Sequence, residues 1–175
     1  MSDHLVLYAG SFDPITLGHL DVIKRARIMF DTIVIGVGIN ASKADYFPIN
    51  ERVEMAKNVI ENSKNSDANN LPLGNVFVEA YEGLTVDYTK KIGAVALIRG
   101  IRNISDLAYE TQLAVTNRQV AGIETAFVVA GSSFAFPSSS LIRQVVELGG
   151  DPERLSEIVP SLVIDRLKNR QKMNK

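Results

Sequence analysis

The sequence has no cysteine and no tryptophan, and its only histidines are His4 and His19. The missing thiols exclude disulfides, cysteine nucleophiles and thiolate-ligated metals. Two imidazoles are too few for a multi-histidine metal site. Neither sign of charge is in excess: 19 Lys and Arg against 20 Asp and Glu give a formal net charge of −1. Nothing therefore advertises nucleic acid or an anionic membrane as a partner, and neither is expected. No apolar run approaches the roughly 20 residues that span a bilayer. The start, MSDHLVLYAG, lacks the basic-then-apolar layout of a signal peptide, so a cytoplasmic protein is expected. There is no G-x-x-x-x-G-K-[ST] phosphate loop and no G-x-S-x-G elbow, which leaves P-loop kinase and acyl-enzyme chemistry unsupported. Repeats and domain linkers are also lacking. With 175 residues, 46% of them apolar, one domain over residues 1–175 is expected, fraying from about residue 166 where Arg166, Lys168, Arg170, Lys172 and Lys175 gather.

What is present is an alternation of two patterns. Residues 5–9, 32–38, 75–80, 94–99 and 125–130 are short, β-branched and almost continuously apolar, as strands buried on both faces of a parallel sheet are. Between them lie amphipathic stretches. Residues 17–30 put Val22, Ile23, Ala26, Met29 and Phe30 on one stripe. Asn50 is placed to cap a helix carrying Val53, Ala56, Val59 and Ile60. Residues 83–92, 105–120, 139–148 and about 153–171 also read as helices, and the polar stretch 62–74 reads as a surface loop. The order β-α-β-α-β-α-β-α-β predicts an α/β fold, a doubly wound five-stranded parallel sheet followed by C-terminal helices.

In such sheets ligands bind beyond the carboxyl ends of the strands, so the loops there carry the functional reading. After the first strand comes Gly10-Ser11-Phe12-Asp13-Pro14-Ile15-Thr16-Leu17-Gly18-His19. Gly10 permits a sharp turn, and Thr16 is a good N-cap for the next helix. Gly18 and His19 then fall in a first turn, where free N–H groups and the positive helix end hold phosphate and an imidazole can donate to a phosphoryl oxygen. Gly36 to Ala41 nominally fits the dinucleotide pattern G-x-G-x-x-A. It lies largely within a strand and no acidic residue follows at the required place, so tight strand packing is the better reading. Lys43, after the second strand, is by itself as readily a solvated lysine. After the fourth strand, Arg99-Gly100-Ile101-Arg102 offers two guanidinium forks suited to phosphate oxygens. Glu110 alone reads as an ordinary helix-face residue. Ser138, Ser139 and Ser140 precede an apolar helix; one is an N-cap, and the others either merely cap or present hydroxyls to phosphate.

Gly10-Ser11-Phe12-Asp-Pro followed by Thr16-Leu-Gly-His19 resembles the T/HxGH nucleotidyltransferase superfamily. More narrowly, the chain resembles the phosphopantetheine adenylyltransferases of coenzyme A biosynthesis, from residue 5 to about 165. The resemblance implies His19 and Lys43 as catalytic groups. It implies ATP contacts from Ser11, Phe12, His19, Gly100, Ile101, Arg102 and Glu110, and from Phe134, Ala135, Phe136, Pro137, Ser138, Ser139 and Ser140. It implies acceptor contacts from Ser11, Lys43, Thr85 and Arg99. Ala135 and Pro137 depart from the family's aromatic-Ser-Phe-Ile/Val-Ser-Ser-Ser, and Ser11 stands where relatives often have Thr. Thr85 replaces a residue that is more often apolar. Sheet order 3-2-1-4-5 is expected, because it brings the loops after strands one and four together and because the family implies it.

The reaction so implied is attack by the phosphate of 4′-phosphopantetheine on the α-phosphorus of ATP, expelling pyrophosphate. A phosphate monoester is already ionised near neutral pH, with a second pKa of about 6, so no general base is needed. Positioning and electrostatic stabilisation would carry the catalysis. Mg²⁺ would bridge phosphate oxygens without dedicated protein ligands. A homohexamer and feedback by coenzyme A are further implications of the resemblance. The rival readings are a sister enzyme acting on nicotinate mononucleotide, or on glycerol 3-phosphate with CTP, and a nucleotide-binding module without catalysis.

Overall fold

The computed structural model describes residues 4–39, 45–66, 73–131 and 138–173. Five strands, β1 (Leu5–Gly10), β2 (Thr32–Gly38), β3 (Val76–Tyr81), β4 (Ala96–Ile101) and β5 (Glu124–Val129), form one parallel sheet in the order β3-β2-β1-β4-β5. The helices between them are α1 (Leu17–Ala26), α2 (Ile49–Ser66), α3 (Thr85–Lys91) and α4 (Ile104–Ala121), followed by α5 (Ser139–Glu147) and α6 (Ser161–Met173). The expected doubly wound sheet and its order are what the chain adopts.

The central strands are apolar because both of their faces are covered. Val6, Leu7, Ile33 and Ile35 have no exposure. Val6, Ile33 and Ile35 join the core formed with α1, α2 and the C-terminal segment. Leu7 and Val34 face the smaller core under α3 and the end of α4. The reading of every strand as buried on both faces fails at the edges. Phe77 in β3 and Val129 in β5, on the two edge strands, have side chains on a face of the sheet left uncovered there, and both are exposed.

Helix limits differ from expectation where local chemistry intervenes. α1 ends at Ala26, so Met29 lies in the following turn and is exposed. α2 begins at Ile49, which puts Asn50 inside its first turn rather than at its cap. The same helix runs to Ser66, into the stretch expected to be loop. The expected helix over 153–171 is two elements, a 3-10 turn at Pro152–Leu155 and then α6, with Pro160 between them, where a missing N–H and a fixed φ interrupt a helix. Leu155, Val159, Val163, Ile164 and Leu167 from this segment complete the main core.

Two glycines allow the close approaches that shape the upper end of the sheet. A Cβ on Gly100 would lie 2.8 Å from Val22 of α1. A Cβ on Gly36 would lie 2.8 Å from Leu7 and 3.1 Å from the ring of Tyr81. The glycines of the G-x-G-x-x-A pattern thus serve packing.

Candidate active site

The chain leaves β1 in a tight turn. Ser11 is exposed, and Phe12 has a left-handed backbone (φ 45°) while its ring is buried. The Asp13–Pro14 peptide is cis. Thr16 then caps α1 as expected: its hydroxyl accepts the His19 N–H at 3.2 Å. The His19 ring completes a reciprocal cap, with Nδ1 accepting the Thr16 N–H at 3.0 Å.

That bond sets the tautomer. A backbone N–H can only donate, so Nδ1 is unprotonated and Nε2 carries the hydrogen. Burial, then the charges of Arg102 and Arg99, push the His19 pKa down from 6.5 to about 4. The imidazole is therefore neutral and a donor through Nε2. Ligand-free protein is expected to show no His19 titration near pH 6.5 by NMR; a midpoint above 6 would overturn the neutral assignment. The sign for stability follows. The folded pKa lies below the unfolded one, so this contribution is present in full above about pH 6.5 and is lost as the pH falls towards 4.

The first turn of α1 has four N–H groups to satisfy. Thr16 N–H goes to His19, Leu17 N–H to the Ile158 carbonyl at 3.0 Å, and His19 N–H to Thr16. Among the described residues, Gly18 N–H is the one of these with no protein acceptor, and Gly18 and His19 both line the same cavity.

That cavity, of about 600 Å³, lies over the carboxyl ends of the strands. It brings together Ser11, Phe12 and His19 from the first loop, Arg99, Gly100 and Arg102 from the end of β4, and Glu110 from α4. Thr85 and Ser138, Ser139 and Ser140 also line it. Ile101 does not: its side chain is buried at the end of β4. Lys43, Phe134, Ala135, Phe136 and Pro137 lie outside the described residues.

Several of these groups have defined internal partners. Arg99 forms a two-pronged pair with Glu110, both contacts at 2.6 Å, and a third N–H goes to the Ala9 carbonyl at 2.6 Å. Two of its five N–H donors remain. Burial works against the Arg99 charge, but hydrogen bonding and attraction to Glu110 outweigh it and hold its pKa above the ordinary value. Glu110, expected at the nucleotide, is here the partner of Arg99. Arg102 pairs with Asp106 at 2.8 Å. Tyr8 lies beneath, its hydroxyl kept protonated by burial despite Arg99 and Arg102. The three serines divide their work. Ser138 caps α5, Ser139 donates to the Pro14 carbonyl at 2.8 Å, and Ser140 is exposed, its hydroxyl accepting from Arg143 at 3.3 Å.

Three further residues shape the site. Arg143, also lining the cavity, donates to the Asp13 carbonyl. Its signal was its spacing, one helical turn beyond the serines. The Asp13 carboxylate accepts the N–H groups of Tyr46 and Phe47 at 2.8 and 2.9 Å. Arg52 is wholly buried; it shares the stripe of Met55, Ala56, Val59 and Ile60, but nothing local in the sequence sets it apart from a surface arginine.

Among the described residues the cavity offers no resident metal site. Among the described residues no cluster of three or more His, Asp or Glu is arranged to hold a cation. The lining carboxylates are committed: Asp13 to backbone N–H groups, Asp45 to Arg52, and Glu110 to Arg99. The arrangement presents neutral and cationic donors converging on one space, suited to holding phosphoryl groups as their charge redistributes.

Comparison with known proteins agrees with this chemistry. Residues 7–145 match the model of the cytidylyltransferase-like family. A phosphopantetheine adenylyltransferase of Rhodopirellula baltica is 41% identical over 96% of this chain and 89% of its own length. One from Frankia alni is 41% identical over 92% of this chain and 94% of its own. Among solved structures, the nicotinic acid mononucleotide adenylyltransferase of Plasmodium falciparum complexed with NaAD superposes with a TM-score of 0.69. It covers 96% of both chains at 17% identity, a likeness of fold.

Proposed function

Because the chain belongs to the phosphopantetheine adenylyltransferase family of cytidylyltransferase-like proteins, we propose that it transfers the adenylyl group of ATP to 4′-phosphopantetheine. The products are 3′-dephospho-coenzyme A and pyrophosphate, a step of coenzyme A biosynthesis. The observation that carries the site assignment is the convergence of His19, the Gly18 N–H and the Arg99–Arg102 segment on one cavity.

An ionised oxygen of the acceptor phosphate attacks the α-phosphorus in line. The bond from that phosphorus to the β-bridging oxygen breaks, and its electron pair leaves with pyrophosphate. No proton has to be removed from the nucleophile. His19 donates from Nε2 to a phosphoryl oxygen, and the Gly18 N–H adds a second donor at the positive end of α1. Arg99 uses its two remaining N–H groups on the acceptor phosphate, beside Thr85. The Ser11–Phe12 turn, Gly100, Arg102 and the serines 138–140 hold the nucleotide. Lys43, the second catalytic group that the resemblance implies, supplies a cation to the phosphates. Mg²⁺ would be held by the nucleotide's own phosphates and would offset their charge, since the described carboxylates that line the cavity are committed to Arg52, Arg99 and backbone N–H groups.

Residues 1–175 act in this reading as one nucleotidyltransferase unit in the cytoplasm. No described helix is long and apolar enough to cross a membrane. A homo-oligomer, a hexamer as in the resemblance, is supported by α4 and β5, where Ile104, Val120 and Val129 are exposed together with Phe127. Coenzyme A, which contains the pantetheine arm of the acceptor, is the feedback ligand.

The test is pyrophosphate release from purified protein with Mg²⁺-ATP, comparing 4′-phosphopantetheine, nicotinate mononucleotide and no acceptor. Release with 4′-phosphopantetheine alone is expected. Release with nicotinate mononucleotide instead would move the chain to the sister reaction. ATP binding with no release from either would identify a non-catalytic module.

A further inference from the structure

Arg52 is the most deeply buried charged residue described, with no exposure at all. It sits on α2 and does not itself line the cavity, although Ser11, Gly38 and Asp45, which it contacts, do. Removing a guanidinium from water is costly unless its donors are met, and here they are. Nε donates to the Phe47 carbonyl at 3.0 Å and Nη2 to the Asp45 carboxylate at 2.8 Å. Nη1 donates to the Ser11 carbonyl at 2.8 Å and to the Gly38 carbonyl at 3.1 Å.

These acceptors belong to three separate pieces of chain: the turn after β1, the exit of β2, and the approach to α2. Fastening α2 to the sheet does not require them. Met55, Ala56, Val59 and Ile60 on the same stripe do that with apolar contacts. What the guanidinium adds is control over the Ser11–Phe12 peptide. In a planar trans peptide the N–H points opposite to the carbonyl. With the Ser11 carbonyl drawn to Arg52, the Phe12 N–H is turned away from it.

The same turn needs an external hold. Phe12 has φ 45°, a left-handed conformation unfavourable for a residue with a bulky aromatic side chain. It persists because the surroundings over-determine it. The ring is wedged against Tyr8 and His19, with centroids 5.3 and 5.0 Å apart. The next residue, Asp13, is tied to Tyr46 and Phe47. Arg52 grips the carbonyl before Phe12 and, through Phe47 and Asp45, the segment to which Asp13 is tied.

We propose that Arg52 is a positioning residue for the phosphate-binding turn: it fixes the Ser11–Phe12 peptide so that the turn meets the nucleotide's phosphates, without itself touching substrate. This rests on the nucleotidyltransferase reading above. Binding of phosphates, rather than of the nucleoside, should then depend on Arg52.

The test compares wild type with Arg52→Lys, which keeps the charge but cannot bridge acceptors on three segments. Dissociation constants for ATP and for adenosine are measured well below the melting temperature. The ATP constant is expected to rise about tenfold or more and the adenosine constant to stay within about twofold; kcat with 4′-phosphopantetheine should fall by about 10²-fold. A lowered melting temperature with an unchanged ATP constant would overturn the proposal, as would equal changes in both constants. If Arg52→Lys does not fold, Asp45→Asn takes its place, with an expected change of about threefold in the ATP-to-adenosine ratio; no change there overturns the proposal. Wild-type protein that binds ATP but does not turn over 4′-phosphopantetheine would refute the assigned reaction, and the ATP-to-adenosine ratio would still decide the role of Arg52.

Discussion

Replacing His19 with alanine is expected to lower kcat by about 10²–10³-fold, the usual cost of losing one preorganised donor to developing phosphoryl charge. The Kd for ATP should change far less, because the interaction matters most as charge shifts in the transition state. The ring also has structural work. It accepts the Thr16 N–H and packs against Phe12, so alanine also removes about 1 kcal/mol of capping. His19→Gln separates the two roles. A glutamine at this position reaches back to the Thr16 N–H as in a regular capping box. It should recover melting temperature but not rate. Single-turnover rates and thermal melts of both variants check this. A kcat within about threefold of wild type for His19→Ala would remove the imidazole from the mechanism.

The second large effect concerns Glu110. Converting it to alanine leaves the Arg99 guanidinium without the carboxylate that made two 2.6 Å contacts. Breaking one side of such a pair costs about 3 kcal/mol, the lower end of the range because Arg99 is partly open to the cavity. For a chain of this length that is a fall of about 6–12 °C in Tm. The kinetic consequence discriminates between roles. If Glu110 acts by orienting Arg99, KM for 4′-phosphopantetheine rises more than KM for ATP. A rise confined to ATP would instead place Glu110 at the nucleotide itself. Glu110→Gln, which keeps the shape of the side chain, should recover part of the stability and less of the acceptor affinity.

Much of the fold was legible because a sheet covered on both sides forces its inner strands to be apolar throughout. β1 and β2 announce themselves for that reason, and the loop residues between Gly10 and His19 stand out as polar punctuation after them. The edge strands were misjudged because their composition matches that of the central ones, and only neighbours decide exposure. Pro160 was visible, but a proline between two helical patterns does not say whether a helix bends or stops. Within the site, Thr16 and His19 were readable from spacing, since a cap and its first turn are local. Arg52, Asp13 and the Arg99–Glu110 pair were not, because each joins segments distant in sequence. A buried arginine on an apolar stripe looks like a surface residue until its acceptors, on three other pieces of chain, are known.

The bonds that assemble the cavity reach far along the chain. Arg99 meets the Ala9 carbonyl across 90 residues, and Ser139 meets the Pro14 carbonyl across 125. During synthesis the turn and the imidazole leave the ribosome early and wait for most of the polypeptide before their partners exist. A fragment ending before α5 holds the most recognisable signature of the enzyme yet has neither the serine cap nor Arg143 to close the space around it. Chains that end before α5 are therefore expected to be inert rather than weakly active.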